Sequence, residues 1–198
     1  MILNYNYWVF RKAVPVEICK KILKRCYKKI RRKAIVGRQL KTDVEVRDCE
    51  VAWINDKWIY DIINPFIHSA NEKAGWNFQW DWNETPQFTI YGKGEYYGWH
   101  ADQFTAPRKD KNKNFDGKVR KLSLTLQLTD KLKYEGGDFQ FLWVDNRKKD
   151  LLNTITIDDA KDMGTVIIFP SFIWHRVLPI TKGKRESLVN WSLGKEFR

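Results

Sequence analysis

His68, His100 and His175 are the three histidines of this 198-residue chain, and one of them, His100, has a carboxylate two residues on. In an extended strand, residues i and i+2 project from the same face, so the His100 ring and the Asp102 carboxylate can converge on one ion. His175 follows the apolar run Gly164-Thr165-Val166-Ile167-Ile168-Phe169-Pro170, and an antiparallel return can bring it beside that pair. Two imidazoles and one carboxylate on one face of an octahedron leave three positions open, a geometry suited to iron(II) and oxygen chemistry. The absence of a thiolate from the group argues against structural zinc. His-x-Asp alone also describes a capped turn histidine, so its surroundings must carry the argument. His68, with Glu72 one turn away, reads as a residue on a helix surface.

The elements that must position these groups can be read from periodicity. Residues 1 to 12 alternate and predict a strand. Pro15 occupies a first helical position, and Ile18, Ile22, Cys26 and Ile30 follow at a spacing of four, with Lys and Arg on the opposite face. A second helix is predicted from Asp56 to Ala74, with Trp58, Ile62, Phe66 and Ala70 as its stripe, Pro65 as a bend and Gly75 as its stop. From Phe78 the period changes to two. Strands are predicted at 88–91, 120–128, 138–144, 154–157, 165–169 and 188–193, separated by Gly, Pro, Asn or Lys-rich turns. Along Arg120 to Leu128 the leucines 122, 124, 126 and 128 share one face, and Ser123, Thr125 and Gln127 the other. The run Thr105 to Val119 has little to bury and reads as a long polar lid or binding loop. Helices followed by short strands predict an α+β chain, with helices on one side of a β-sandwich or jelly roll.

Composition narrows the class. The chain is 43% hydrophobic with 10 Trp, 8 Tyr and 11 Phe, enough for a substantial core. No stretch reaches the ~18 apolar residues of a membrane span, and the first residues lack the pattern of a signal peptide. Cys19, Cys26 and Cys49 are odd in number and form no Cys-x-x-Cys pair, which argues against a disulfide framework or zinc knuckle. A soluble, cytoplasmic protein is expected. The net charge of +12 raises nucleic-acid contact as a possibility, but nine of the basic residues fall between Lys20 and Lys33, where a solvated helix face explains them equally well.

Around the histidine motif, the run Tyr91-Gly-Lys-Gly94-Glu-Tyr-Tyr97-Gly-Trp-His100-Ala-Asp102 resembles the Tyr-x-x-Gly-x-x-Tyr-x-x-His-x-Asp signature of the prolyl-4-hydroxylase-like branch of the Fe(II)/2-oxoglutarate-dependent dioxygenase superfamily. Arg120 through Leu128, then Glu135-Gly136-Gly137-Asp138, Gly164 through Val177, and Gly183-Lys184-Arg185 continue the resemblance in order. It covers roughly residues 86 to 194. It implies one oxygenase domain over 1–198, with a supporting strand and helices in 1–80 and a double-stranded β-helix (jelly-roll) catalytic core in 86–194.

The resemblance also implies roles. His100, Asp102 and His175 would hold Fe(II). Arg185, ten residues past His175, would grip the far carboxylate of 2-oxoglutarate, as a planar guanidinium does well. Tyr91, Ser187, Thr125 and Gln127 would join it around the cosubstrate, while Tyr97, Arg120 and Trp191 would face the substrate. Trp80, Trp82, Trp99 and Trp174 offer either an apolar wall or core packing. With O2, and with ascorbate as an accessory reductant, such an enzyme decarboxylates 2-oxoglutarate to succinate and hydroxylates an unactivated C–H bond. The leading expected substrate is a prolyl residue of a peptide or protein, with a free amino acid or other small molecule as a competitor. The segment from His175 to Leu188 also bears some likeness to AlkB-like nucleic-acid demethylases, but these carry a second arginine where this chain has Trp191.

Overall fold

The computed structural model describes residues 3–34, 47–144 and 152–197. In chain order the elements are β1 (Trp8–Phe10), α1 (Val16–Cys26), β2 (Arg32–Lys33), β3 (Arg47–Asp48), β4 (Glu50–Trp53), α2 (Lys57–Lys73), β5 (Trp82–Asn83), β6 (Gln87–Tyr91), β7 (Tyr96–His100) and β8 (Lys118–Gln127). They continue with β9 (Tyr134–Gly136), β10 (Phe139–Val144), β11 (Leu152–Thr156), β12 (Val166–Pro170), β13 (His175–Val177), β14 (Ile180–Gly183) and β15 (Arg185–Lys195). The larger sheet runs β1-β12-β8-β15-β6-β4-β2, with β5 also paired to β15. The smaller runs β11-β10-β13-β7-β3, and β9 with β14 forms a separate ladder. Every strand pairing within the two larger sheets is antiparallel. This is the jelly-roll core with helices on one sheet that the sequence predicts.

Strand β8 shows why. Its leucines at 122, 124 and 126, with Leu128 just beyond, join one apolar cluster with Ile22 of α1 and Ile59, Ile63 and Ile67 of α2. The alternation of the strand therefore points the leucines at the helices and turns Ser123 and Thr125 toward the space between the sheets. Across that space a second cluster, including Phe139, Phe141, Phe169 and Val177, glues the sheets together. The polar inner face of β8 thus meets an aromatic wall, and the cavity described below forms between them.

Several boundaries differ from the sequence reading. Helix α1 ends at Cys26, with Tyr27 as its C-cap, and Ile30 is 80% exposed instead of completing the stripe. Chain reversal toward β2 takes residues 27–31 out of the helix, so the basic run is split between helix, turn and strand. On α2 the buried stripe is Ile59, Ile63, Ile67 and Ala70; Ala70 is as predicted and the other three lie one residue beyond the predicted positions. Trp58, Ile62 and Phe66 flank it, partly buried. Bulky flanking side chains dominated the periodicity, while the slimmer isoleucines fit closest to the sheet. The N-terminal strand is confined to three residues. The polar stretch ahead of β8 is tied back on itself: the Arg108 N–H donates to the Lys118 carbonyl, the Gly117 N–H donates to the Arg108 carbonyl, and the Arg108 guanidinium sits over the Phe115 ring. Among the described residues, no helix is long and apolar enough to cross a membrane.

Candidate metal centre

Strands β7 and β13 are neighbours, and their register sets His175 opposite His100. Asp102 lies just beyond the end of β7, so a bend of the chain, not strand alternation, brings its carboxylate to the histidines. Asp102 Oδ1 is 3.8 Å from His100 Nε2, and Oδ2 is 3.6 Å from His175 Nε2. The ligand atoms of all three residues fall within 4.8 Å of one another. His68 is far from this chemistry, exposed on α2 against the Trp80 ring.

Each imidazole is fixed through its other nitrogen. His100 Nδ1 lies 2.8 Å from the Gly98 carbonyl and His175 Nδ1 lies 2.9 Å from that of Ile173. A carbonyl can only accept, so Nδ1 carries the hydrogen and Nε2 presents its lone pair toward Asp102. Burial, reinforced by the neighbouring His175, pushes the His100 ring down to about 3, leaving it neutral. Burial alone would raise the Asp102 carboxyl. The two imidazoles, Arg120 and the Ser123 hydroxyl outweigh it and hold the group at about 2. Ser123 Oγ donates to Asp102 Oδ2 at 2.7 Å and is itself 2.9 Å from Ser171 Oγ. A neutral His100 ring and an ionised Asp102 carboxylate are the protonation states that binding a divalent ion requires. Two nitrogens and an oxygen without thiolate fit iron(II).

A narrow cavity runs inward from this cluster, and Tyr91, Thr125, Arg185 and Ser187 help line it. Arg185 is 2% exposed. It faces Tyr91 across the β15–β6 register, with its guanidinium 5.8 Å from the Tyr91 ring centre. Its Nη1 approaches Ser187 Oγ at 3.4 Å, while its Nε has no hydrogen-bond partner. No carboxylate among the described residues pairs with it. A buried guanidinium without a counter-charge is costly, and the far carboxylate of 2-oxoglutarate would supply one. Gln127 is not on the cavity wall as expected. Its amide donates to Tyr134 Oη and to the Thr129 carbonyl, so it is engaged further along the same inner face of the strand, beyond Thr125.

The expected substrate-side residues collect at the outer end. Tyr97 stacks on His100, centroids 3.4 Å apart at 12°. Trp191 lines both the inner cavity and a wider outer groove of about 840 Å³, which Arg120, Trp53 and the loop 104–110 also border. Arg120 is already neutralised: Nε and Nη2 donate to the two Glu84 oxygens at 2.6 and 2.9 Å. Its guanidinium lies 3.9 Å from the Trp191 ring centre. The four-tryptophan wall is not found. None of Trp80, Trp82, Trp99 and Trp174 lines the inner cavity: Trp80 packs toward the helices, Trp99 lies under Arg176, and Trp82 and Trp174 are exposed. Phe139, Phe169, Val177 and Val189 provide the apolar wall instead. The sequence reading also missed Arg47 and Gln87, which border both spaces. No motif marks them, because the barrel closure alone brings β3 and β6 to the mouth.

Comparison with known proteins agrees with this geometry. Residues 86–193 match the family model described as the 2OG-Fe(II) oxygenase superfamily. A PKHD-type hydroxylase of Pseudoalteromonas atlantica is 30% identical over 106 residues, which are 54% of this chain and 41% of that protein. The match therefore spans about two fifths of the length of that curated relative. A prolyl-4-hydroxylase of Pseudomonas putida superposes with a TM-score of 0.72 at 18% identity, covering 96% of this chain and 93% of the other. A prolyl hydroxylase of Trichoplax adhaerens, solved with a peptide fragment of the hypoxia inducible factor oxygen degradation domain, gives 0.72 at 16%, covering 96% and 84%. The cofactor set is iron(II) and 2-oxoglutarate with dioxygen, and the chain belongs to the 2OG-Fe(II) oxygenase superfamily.

Proposed function

We propose that this protein, acting as a single oxygenase domain, is an iron(II)- and 2-oxoglutarate-dependent dioxygenase that hydroxylates an unactivated C–H bond, that of a prolyl residue in a peptide or protein. The observation that carries the proposal is the sharing of one cavity by the His100, Asp102 and His175 cluster and the uncompensated Arg185 guanidinium. In this reading His100, Asp102 and His175 hold the metal, and Arg185 with Tyr91, Ser187 and Thr125 receives the far carboxylate of 2-oxoglutarate. With dioxygen, iron and 2-oxoglutarate supply an oxidant able to take hydrogen from carbon.

The chain's own residues orient and shield. Ser123 fixes the Asp102 carboxylate, and the two backbone carbonyls fix the rings. Phe139, Phe169 and Val189 keep bulk water from the reacting centre. The outer groove, with Tyr97, Trp191 and the Glu84-braced Arg120, has the volume and aromatic lining to take a peptide segment. The peptide-bound neighbour from Trichoplax supports a peptide substrate. Three buried, unpaired cysteines support a cytoplasmic setting.

The test is direct. Protein loaded with iron(II) and 2-oxoglutarate should form succinate, faster with proline-containing peptides that gain the mass of one oxygen. Turnover with free amino acids alone, or with methylated oligonucleotides alone, would move the substrate assignment to those classes. No succinate under any condition would remove the oxygenase reading.

A further inference from the structure

The cations around the cavity are not equivalent. Arg120 is neutralised by Glu84, Arg108 pairs with Asp110 at 2.8 Å, and Arg185 lies at the inner end. Arg47 is different. It borders both the inner cavity and the outer groove, yet no carboxylate among the described residues pairs with it. Its Nε reaches Cys49 Sγ at 3.1 Å and its Nη2 donates to Gln87 Oε1 at 2.8 Å. Its guanidinium lies 4.6 Å from the centre of the Tyr97 ring, the ring that stacks on His100. Nη1 makes no hydrogen bond to any described residue.

An arginine stays charged at any working pH, and among the described residues this partly desolvated guanidinium meets a thiol, an amide oxygen and an aromatic face but no counter-charge. Two such guanidiniums border this cavity. The cosubstrate's far carboxylate can answer only one, and Arg185, more deeply buried and flanked by Tyr91 and Ser187, is the one built for it. We infer that Arg47, steadied by Gln87 and Tyr97, binds a carboxylate of the substrate, so that the substrate is anionic beside the carbon that reacts. The inference rests on the proposed oxygenase function and adds the substrate's charge to it.

The carboxylate could be an Asp or Glu side chain next to the target residue of a peptide, or the α-carboxylate of a free amino acid. A nucleic-acid phosphate backbone suits the groove poorly, because Arg120 and Arg108 are already paired with Glu84 and Asp110 and are not free to take successive phosphates. A single planar guanidinium beside a neutral amide matches a single carboxylate.

The experiment uses the full chain with iron(II) and 2-oxoglutarate. Intrinsic tryptophan fluorescence, to which Trp191 and Trp53 of the groove contribute, follows binding of blocked proline peptides bearing Glu, Gln or Lys beside the proline. Free proline and a methylated oligonucleotide complete the set. A charge-assisted hydrogen bond to carboxylate predicts about tenfold or greater preference for Glu over Gln. Free proline replaces the Glu peptide as the preferred ligand if the α-carboxylate is the source. Arg47→Glu should invert the peptide order in favour of Lys, and Arg47→Gln should level it; the second variant serves if the first does not fold. Equal binding of Glu and Gln peptides by the wild type, with free proline no better, overturns the inference, as does a preference for the oligonucleotide. So does binding of nothing at millimolar concentration while succinate still forms, an outcome that leaves the oxygenase reading standing. Failure to form succinate counts against the oxygenase reading alone, because the binding order is read separately.

Discussion

His100 and His175, 75 positions apart in the chain, are direct partners across the β7–β13 ladder. Their ring centroids lie 4.1 Å apart, both second nitrogens are tied to backbone carbonyls, and a carboxylate bends in from the next turn. The metal site is thus a property of strand register. A one-residue slip would turn one ring to the opposite face. His100→Ala or Asp102→Ala should bind iron poorly and form no succinate above background, checked by metal content and by succinate release. Ser123→Ala keeps all three ligands but frees Asp102 Oδ2. Loss of such an orienting contact should weaken iron binding about 10- to 100-fold, measured by iron titration; unchanged affinity would show that Ser171 or the backbone positions the carboxylate alone.

Arg185→Gln should leave iron binding intact and raise the 2-oxoglutarate KM. A charged hydrogen bond to carboxylate contributes about 1.5–3 kcal/mol, which corresponds to roughly 10- to 100-fold. Arg185→Lys should recover only part of this, since an ammonium cannot engage both oxygens in the plane. A KM unchanged in both variants would assign the carboxylate to another group, with Arg47 the next to examine.

Gly137 supports that arginine from beneath. Its φ of 64° lies in the left-handed region, and a Cβ there would collide with Ile180 Cδ1 and press on the Arg185 Cδ at 3.3 Å. Gly137→Ala should cost about 1–3 kcal/mol of stability through backbone strain and raise the 2-oxoglutarate KM through displacement of Arg185. Thermal unfolding reads the first effect and steady-state kinetics the second. A stability loss with an unaltered KM would mean that Ile180 yields and Arg185 does not.

Legibility in the sequence followed chemistry. The period-two strands and the ordered motif blocks pointed to the jelly roll, because alternation is forced wherever one sheet face is buried. His100, Asp102, His175 and Arg185 could be named because they lie in runs whose spacing is part of the resemblance. Arg47 and Gln87 could not: each is an ordinary polar residue in its own segment, and only barrel closure makes them neighbours of Tyr97. The tryptophans misled for the same reason. Trp80, Trp82 and Trp99 lie close in sequence to the motif, but Trp99 alternates with His100 to the other face of β7, Trp82 is exposed on β5, and Trp80, outside any strand, packs toward the helices. Trp191, distant in sequence, reaches the cavity through β15. On α2 most of the stripe was misplaced by one residue because an aromatic at Trp58 and Phe66 weighs more in a periodicity than the isoleucine that is fully buried.

Behind Arg185, on the opposite face of β15, Glu186 is 6% exposed and burial pushes its carboxyl up to about 7. Thr129 Oγ1 donates to one oxygen at 3.0 Å, and Tyr27 Oη donates to the other. Lys184 lies 3.3 Å away, and the buried Cys26 thiol faces the same pocket. Because the folded carboxyl holds its proton more tightly than the unfolded one, the native state binds more protons between about pH 4.5 and 7. Stability from this group is therefore present below the unfolded value and is lost as pH rises through the folded one. Lys184 offsets part of the cost of the charged form, which leaves a difference on the order of 1 kcal/mol. Glu186→Gln keeps an oxygen for Thr129 or Tyr27 and cannot ionise. Its melting temperature should exceed that of the wild type at pH 8 and approach it at pH 5. A wild type whose advantage instead grows toward pH 8 would mean that Lys184 and the two hydroxyls stabilise the carboxylate more than burial opposes it.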